Sequence, residues 1–172
     1  MNTIQYRIAN INDIPQIAKV HLKGKQAAYQ DYMPQKYLDK ILMKSDKELW
    51  KKALKHEASQ ILVAEKNDTI IGFICFKSLD VTSNFIKTGE VQALYVKPDH
   101  LGCGIGSKLL QNILEICISL KYSTVFLWML VNNEPAKQFY TKHGFKITSK
   151  QKENKKILPG VTFQEIQLMR TL

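Results

Sequence analysis

The most constraining feature of this sequence is a glycine-rich segment, Leu101-Gly102-Cys103-Gly104-Ile105-Gly106-Ser107-Lys108, between a predicted strand at 90–96 and a predicted helix. Main-chain N–H groups at a helix N-terminus can point at an anion, and glycines allow that backbone to approach a phosphate closely. The spacing matches neither the G-x-G-x-x-G of dinucleotide-binding folds nor the G-x-x-x-x-G-K-[ST] of P-loops. The segment therefore predicts either an anion-binding loop of another kind or a flexible turn at a helix start.

A second motif begins at Asn133-Glu134-Pro135, which is a typical helix start. Ala136, Phe139 and Tyr140 would share one side of this helix, and Gly144 would end it. Taken alone, this pattern indicates only a capped amphipathic helix.

The rest of the chain alternates between strand-like and helical patterns. Apolar runs and alternation predict strands at 4–8, 61–65, 70–76, 90–96, 124–131, 145–149 and 163–171. Helical spacing predicts helices at 12–24 and 34–42, one between the glycine-rich segment and Leu120, and one that begins at 133. A further helix is predicted to begin at the capping box Ser45-Asp46-Lys47-Glu48. Its apolar face would carry Leu49, Trp50, Ala53 and Leu54. The polar residues 66–69 predict a hairpin turn, and 150–156 with Pro159-Gly160 predict a polar connection. This order indicates an α+β fold around a mixed sheet, with 124–131 in mid-sheet.

Length and composition exclude several classes. At 172 residues, with 45% hydrophobic and 23% charged residues, the chain fits one folded domain, 1–172. Its apolar runs are far shorter than the ~20 residues that cross a bilayer, and 1–7 lack the apolar centre of a signal peptide, so we expect a cytoplasmic protein. Three cysteines without C-x-x-C spacing and four scattered histidines predict neither a disulfide framework nor a metal site.

The net charge of +10 and the pI of about 9.5 suit a polyanionic partner, but they do not choose among nucleic acid, an acidic membrane and a small molecule. Lysines between 36 and 55 recur at helical spacing among acidic residues, which favours a solvated helix face. A basic nucleic-acid-binding module, with this helix and 150–156 as its footprint, is the alternative from another class. No aromatic-interleaved RNA motif or helix-turn-helix pattern supports it.

Three motifs, taken in order, resemble those of a known family. They are Leu94-Tyr95-Val96-x-Pro98, the glycine-rich segment with Leu109-Leu110 behind it, and Asn133-x-x-Ala136-x-x-Phe139-Tyr140-x-x-x-Gly144-Phe145. Together they closely resemble consecutive motifs of the GNAT superfamily of N-acetyltransferases. The resemblance implies a mixed, mostly antiparallel, six- to seven-stranded sheet with helices on both faces, and acetyl-CoA as the cosubstrate.

The resemblance also implies which residues bind that cosubstrate. The pantetheine arm would bind the main chain of the strand at 90–96, through Leu94 and Val96 with Tyr95 between them. Asn133 would contact the arm, and Tyr140 would face the sulfur. The pyrophosphate would be held by N–H groups among Gly102, Cys103, Gly104, Ile105, Gly106 and Ser107.

Leu101 departs from the family pattern, which usually has Arg or Gln at this position. A side-chain contribution to phosphate binding is therefore absent there. Either the backbone donors suffice, with weaker affinity as the result, or His100 and Lys108 substitute.

Amine acetylation needs a neutral nucleophile, whereas an alkylammonium of pKa about 10 is almost fully protonated at neutral pH. By resemblance, Glu90 is the predicted base and acts through water, with a surface or cross-strand carboxylate as the alternative. Tyr140 is the predicted acid for the departing thiolate, because a phenol stays protonated at neutral pH; a core aromatic is the alternative. A main-chain N–H of Tyr95 or Val96 would polarise the thioester carbonyl.

We expect direct transfer rather than a covalent Cys103 intermediate, because no His or carboxylate is placed by sequence to activate the thiol. Tyr29, Tyr32 and Tyr37 either line the acceptor pocket or pack between helices. A GNAT-like domain that binds acyl-CoA without catalysis is a further alternative. The sequence determines neither the acceptor amine nor the oligomeric state. A homodimer is one of the states that it allows.

Overall fold

A computed structural model of the protein describes residues 3–30, 47–80, 87–158 and 161–172. This part of the chain contains seven strands: β1 Gln5–Ile8, β2 Ser59–Lys66, β3 Thr69–Asp80, β4 Lys87–Val96, β5 Tyr122–Leu130, β6 Lys146–Leu158 and β7 Val161–Thr171. It also contains four α-helices: α1 Ile14–Tyr29, α2 Lys47–Lys55, α3 Ile105–Ser119 and α4 Glu134–Lys142. Short 3-10 turns at Ile11–Asp13 and Pro98–His100 precede α1 and the glycine-rich loop.

The seven described strands form one sheet in the order β1-β2-β3-β4-β5-β7-β6. All neighbours pair antiparallel except β4 and β5, which run parallel and are joined by a crossover through α3. The predicted α+β class and the mixed, mostly antiparallel sheet are confirmed. β5 lies inside the sheet, as its apolar sequence predicts.

Local sequence explains where α1 and the first hairpin begin. Asn10 and Asp13 form a capping box around the first 3-10 turn, and Pro15 lies in the first turn of α1, where its missing N–H costs no hydrogen bond. Asn67 and Asp68 have φ angles of 49° and 58°, as a two-residue turn between β2 and β3 requires. The predicted hairpin is therefore confirmed.

Apolar side chains cover both faces of the sheet. On one face, Ile17 of α1 and Trp50 of α2 pack against Phe73 of β3. On the other, Leu109 of α3 belongs to a second cluster with Leu127 of β5. Helices on both faces, as the sequence resemblance implies, are confirmed.

The parallel pair β4 and β5 separates part-way along its length. Pairing ends at Val91 opposite Leu127, and on the β3 side of β4 the register skips Gln92, which makes this residue a β-bulge. The extra residue reverses the alternation of the strand: Val91 and Leu94 pack on the α3 face, whereas Tyr95 packs on the α1 face. The sheet consequently opens into a gap between 92–96 of β4 and 128–130 of β5, here called the slot.

Two sequence predictions need correction. Residues 150–156 are not a connection, because β6 continues as a strand to Leu158. β6 lies at the edge of the sheet, where polar side chains are tolerated and the apolar alternation of an interior strand is missing. Leu49, predicted on the apolar face of α2, is exposed. The helix predicted at 34–42, together with Tyr32, Tyr37, Ser45-Asp46 and Pro159-Gly160, lies outside the described residues.

Neither a membrane-spanning helix nor a metal cluster occurs in the described ranges. Their helices are too short or too polar to span a bilayer. The same residues contain no group of three or more His, Cys, Asp or Glu side chains that could hold a metal ion.

Candidate active site

Main-chain N–H and C=O groups of β4 point into the slot. The Lys97 N–H donates to the Ile71 carbonyl at 2.8 Å, which makes these residues a hydrogen-bonded pair of the antiparallel β3–β4 ladder. Such pairs alternate with pairs that are not hydrogen-bonded, so Tyr95 directs its main-chain groups towards β3, whereas Leu94 and Val96 direct theirs into the slot. Leu94 and Val96 are the residues predicted to bind a pantetheine arm, and the geometry supplies the donors and acceptors that this role needs.

The glycine-rich loop enters α3 with open space around its main chain. Gly102 and Gly104 have φ angles of 76° and 78°, in the left-handed region that favours glycine. A Cβ atom on either residue would meet no described atom within 4 Å outside its chain neighbours. Gly104 is the N-cap of α3 and provides no side-chain cap, while the buried Ile105 anchors the helix start in the core. The first N–H groups of α3 and its positive end are thus available to an anion.

Two adjoining cavities meet at the slot. The loop-side cavity has a volume of about 530 Å³, and the slot cavity, which runs along β4 and β5, has a volume of about 400 Å³. The loop-side cavity is lined by Leu101, Gly102, Gly104, Ile105, Gly106 and Ser107 of the predicted loop. Both cavities are lined by Leu94, Val96, Leu101, Pro135, Ala136 and Tyr140. A continuous path therefore leads from the loop into the slot.

Leu101 is 60% exposed and contributes an apolar side chain to both cavities. Of its two predicted substitutes, His100 lines the loop-side cavity, whereas Lys108 is exposed on α3. Lys142 and His143, at the C-terminal end of α4, line the same cavity. These two cationic or titratable side chains could not be assigned from sequence, because only the packing of α4 beside the loop brings them there.

Positive charge also concentrates on the approach to the loop. Burial lowers the pKa of Lys97, and the charges of Lys19 and Lys23 on α1 lower it further. The three ammonium groups therefore lie close enough to repel one another, immediately before the 3-10 turn that leads into the loop. An anion bound nearby would be attracted by this field.

Asn133 and Tyr140 mark the two ends of the wall that α4 contributes. The side-chain oxygen of Asn133 accepts a hydrogen bond from the Ala136 N–H at 3.1 Å, so its NH₂ group is the part left for a ligand in the slot cavity. Tyr140 packs edge-on against Phe139 and Phe145 and is 9% exposed. Burial raises the pKa of Tyr140 well above the ordinary phenol value, so this side chain stays protonated at neutral pH and can donate a proton.

The slot cavity continues through the sheet to the face that α1 covers. On this face the cavity is lined by three small residues of α1, Gly24, Ala27 and Ala28. A Cβ atom on Gly24 would lie 2.5 Å from the Tyr95 ring, so glycine is required for this ring to pack against α1. Burial raises the pKa of Tyr29, the side-chain hydrogen bond with Tyr95 opposes this increase, and a nearby carboxylate charge adds to it. Of the three predicted pocket tyrosines, Tyr29 thus lines the cavity.

That carboxylate is Glu165 of β7, which is 8% exposed and lines the slot cavity. Its neighbour Ile166 packs on the α3 face, so Glu165 faces the α1 side. One carboxylate oxygen accepts a hydrogen bond from the Asn154 side-chain amide at 2.8 Å, and the other lies 3.5 Å from the Lys152 ammonium. The same ammonium lies 4.1 Å from the centroid of the Trp128 ring. No sequence motif marks Glu165, because its surroundings come from three strands, β5, β6 and β7, and only their pairing brings these side chains together.

Glu90, the predicted base, lies on the same face as Glu165, opposite Lys77 of β3 and Phe126 of β5. Burial and then the charge of Glu90 raise the pKa of Cys75 to about 12, so the carboxylate lies near this thiol. Glu90 is not among the described residues that line the slot cavity; on β4, that lining begins at the next residue, Val91. The role of Glu90 stays a prediction.

The family model described as the Acetyltransferase (GNAT) family matches residues 25–145. This range includes the splayed half of β4, the glycine-rich loop and α4. The chain therefore belongs to the GNAT family of acetyltransferases and is an acyltransferase.

Individual relatives agree with this membership. The chain is 25% identical over 166 residues to the uncharacterized N-acetyltransferase YuaI of Bacillus subtilis, covering 96% of this chain and 91% of that protein. It is 26% identical over 151 residues to an N-alpha-acetyltransferase of Sulfurisphaera tokodaii, covering 83% and 81%. The crystal structure of PaiA N-acetyltransferase from Thermoplasma acidophilum, in complex with coenzyme A, has a TM-score of 0.79 at 22% identity and 99% coverage of both chains, which shows the same fold.

Proposed function

We propose that the protein transfers an acetyl group from acetyl-CoA directly to a primary amine within a ternary complex. The slot carries this proposal, because its cavity joins the loop on the α3 side to the tyrosine-lined wall on the α1 side. A donor and an acceptor can then reach the same opening from opposite faces of the sheet. No covalent enzyme intermediate is needed for such an arrangement.

The residues present fit acetyl-CoA. Leu94 and Val96 offer main-chain groups along which a pantetheine arm can extend β4 like an additional strand. The space in front of Gly102 and Gly104 allows a pyrophosphate to reach the N–H groups that start α3. Asn133 offers its side-chain amide where the arm would enter the slot.

In this reaction the amine nitrogen bonds to the thioester carbonyl carbon, the carbon–sulfur bond breaks, the amine loses a proton and the sulfur gains one. Tyr140 is the proposed donor to the departing sulfur, since it lines both cavities and stays protonated. Val96 is a better donor than Tyr95 to the thioester oxygen, because the Tyr95 N–H belongs to the β3 ladder. Glu90 would take the amine proton through water.

The position of Cys103 supports direct transfer. Its thiol is exposed and donates a weak hydrogen bond to the Leu101 carbonyl at 3.7 Å, outside the described lining of either cavity. We also propose a cytoplasmic location, which the three free cysteines support because thiols stay reduced there.

Acetyl-CoA binding and thiol release test this proposal together. Acetyl-CoA should raise the thermal midpoint of the protein, because a ligand at one hundred times its dissociation constant adds ~2.7 kcal/mol to the folded state. Release of coenzyme A thiol should then depend on an added amine. The panel should include peptides with a free α-amino group, which the N-alpha-acetyltransferase of Sulfurisphaera tokodaii suggests. No thermal shift at millimolar acetyl-CoA would overturn the proposal.

A further inference from the structure

We propose that Glu165 binds the acceptor amine as an ammonium ion in the α1-side half of the slot cavity, so that the enzyme selects cationic amines without a neighbouring carboxylate. This inference rests on the proposed acetyl transfer and specifies its acceptor site. The ammonium would bind first, and its proton would leave through the proposed base before the nitrogen attacks.

Charge within the cavity wall supports this role. Glu165 is the only Asp, Glu, Lys or Arg among the described residues that line the slot cavity. The remaining described lining is apolar, aromatic or uncharged polar, and it includes no lysine or arginine that could pair with a carboxylate of the acceptor. In a chain with a net charge of +10, this cavity is thus a local site for a cation.

The protein itself shows that an ammonium ion fits beside Glu165. The Lys152 ammonium lies 3.5 Å from the carboxylate and 4.1 Å from the centre of the Trp128 ring, within the range of a cation–π contact. The Lys152 side chain is 43% exposed, so it can withdraw into water at little cost. Asn154 holds the carboxylate in place by its 2.8 Å hydrogen bond, which does not depend on the lysine. An incoming ammonium can therefore replace that of Lys152.

The placement also suits the direction of transfer. Glu165 faces the α1 side of the sheet, whereas Tyr140 belongs to the core on the α3 side, and both line the slot cavity. An amine bound by Glu165 would approach the slot from the face opposite the proposed acid. The small side chains of α1 leave room for the carbon skeleton of that amine.

Three probes that share a phenethyl group test the inference: phenethylamine, phenethyl alcohol and the free amino acid phenylalanine, which adds a carboxylate. Their binding to the full chain saturated with coenzyme A is measured by NMR titration. The wild type should bind phenethylamine about 10- to 100-fold more tightly than either other probe, because the alcohol carries no positive charge to pair with Glu165 and the carboxylate of phenylalanine is repelled by it. Glu165→Gln keeps the side-chain length and a partner for Asn154, and it should abolish this preference.

Glu153→Gln is the matched control, since it removes a carboxylate from the exposed side of β6 and should keep the preference. An unchanged preference in Glu165→Gln, or no preference for phenethylamine in the wild type, would overturn the ammonium site. If Glu165→Gln does not fold, the absence of a preference in the wild type can still overturn the ammonium site. The thermal shift with acetyl-CoA is recorded on the same proteins, so failure of acetyl-CoA binding is seen separately from failure of the acceptor site.

Discussion

Replacing Gly104 by alanine separates the cofactor role of the loop from its role in the fold. An L-residue in the left-handed region costs about 1–2 kcal/mol, and the reduced freedom of the unfolded chain returns about 0.4–1 kcal/mol. Because a Cβ atom at Gly104 meets no described atom within 4 Å, we expect no clash to add to this cost. A net loss of about 1 kcal/mol would lower the thermal midpoint by about 2–4 °C in a chain of this size.

The effect of Gly104→Ala on acetyl-CoA affinity should be much larger. The new methyl group would occupy the space through which the pyrophosphate reaches the N–H groups of α3. Loss of one hydrogen bond to a charged group costs about 1.5–3 kcal/mol, which corresponds to about a 10- to 150-fold weaker binding. Calorimetric titration with coenzyme A measures this change, and a thermal melt without ligand measures the change in the fold.

Gly144→Ala is the matched control for backbone strain. Gly144 has a φ angle of 82°, close to that of Gly104, and a Cβ atom there would lie 3.6 Å from the Arg170 side chain, an ordinary contact. Both variants should lose similar stability, but only Gly104→Ala should lose affinity for coenzyme A. If the two variants bind coenzyme A equally well, the loop is not the pyrophosphate site.

Tyr140→Phe should lower single-turnover acetyl transfer by about 10²–10⁴-fold with little change in coenzyme A affinity, because it removes only the proposed proton donor; wild-type turnover would refute this role. A thiol reagent at neutral pH should label the exposed Cys103 rapidly and leave Cys75 and Cys117 unmodified until the protein unfolds. Burial raises the pKa of both buried thiols to about 12, and a nearby carboxylate adds to the effect at Cys75. Mass spectrometry of the labelled peptides would detect early modification of either buried thiol, which would contradict the burial. Lys152→Met should tighten phenethylamine binding several-fold in NMR titrations, since the competing ammonium is removed; weaker binding would contradict the exchange.

The cofactor side of the site could be predicted from sequence because it is built from residues that are close along the chain. The loop at 101–107 and the helix from Asn133 to Tyr140 each carry their spacing in one short segment, and the intervening strand is recognisable from its apolar composition. Their role in binding acetyl-CoA still depends on the proposed function. The positive φ angles of Gly102 and Gly104 agree with the residue type at these positions, because glycine adopts a positive φ without strain.

The proposed acceptor side could be predicted only in small part. Tyr29 was one of three tyrosines with two alternative roles, in the acceptor pocket or between helices, whereas Trp128 and Glu165 carried no signal in the sequence. The three residues come from α1, β5 and β7, and only the folded chain brings them to one cavity. The sequence did not predict the extension of β6 through 150–156 for a different reason: an edge strand needs no apolar alternation.

The β-bulge at Gln92 adds a residue to β4 without changing which side chains face each side of the sheet. Gln92 is exposed, so many side chains can replace it without disturbing the core. Deleting it would return β4 to regular alternation, with Leu94 still on the face of Val91 and Tyr95 still on the opposite face, because Gln92 is the one position that the ladder skips. The deletion would instead remove the local bend that a bulge gives to its strand, at the point where β4 stops pairing with β5. We therefore expect a strand shortened by this one residue to keep its apolar faces but to close the slot.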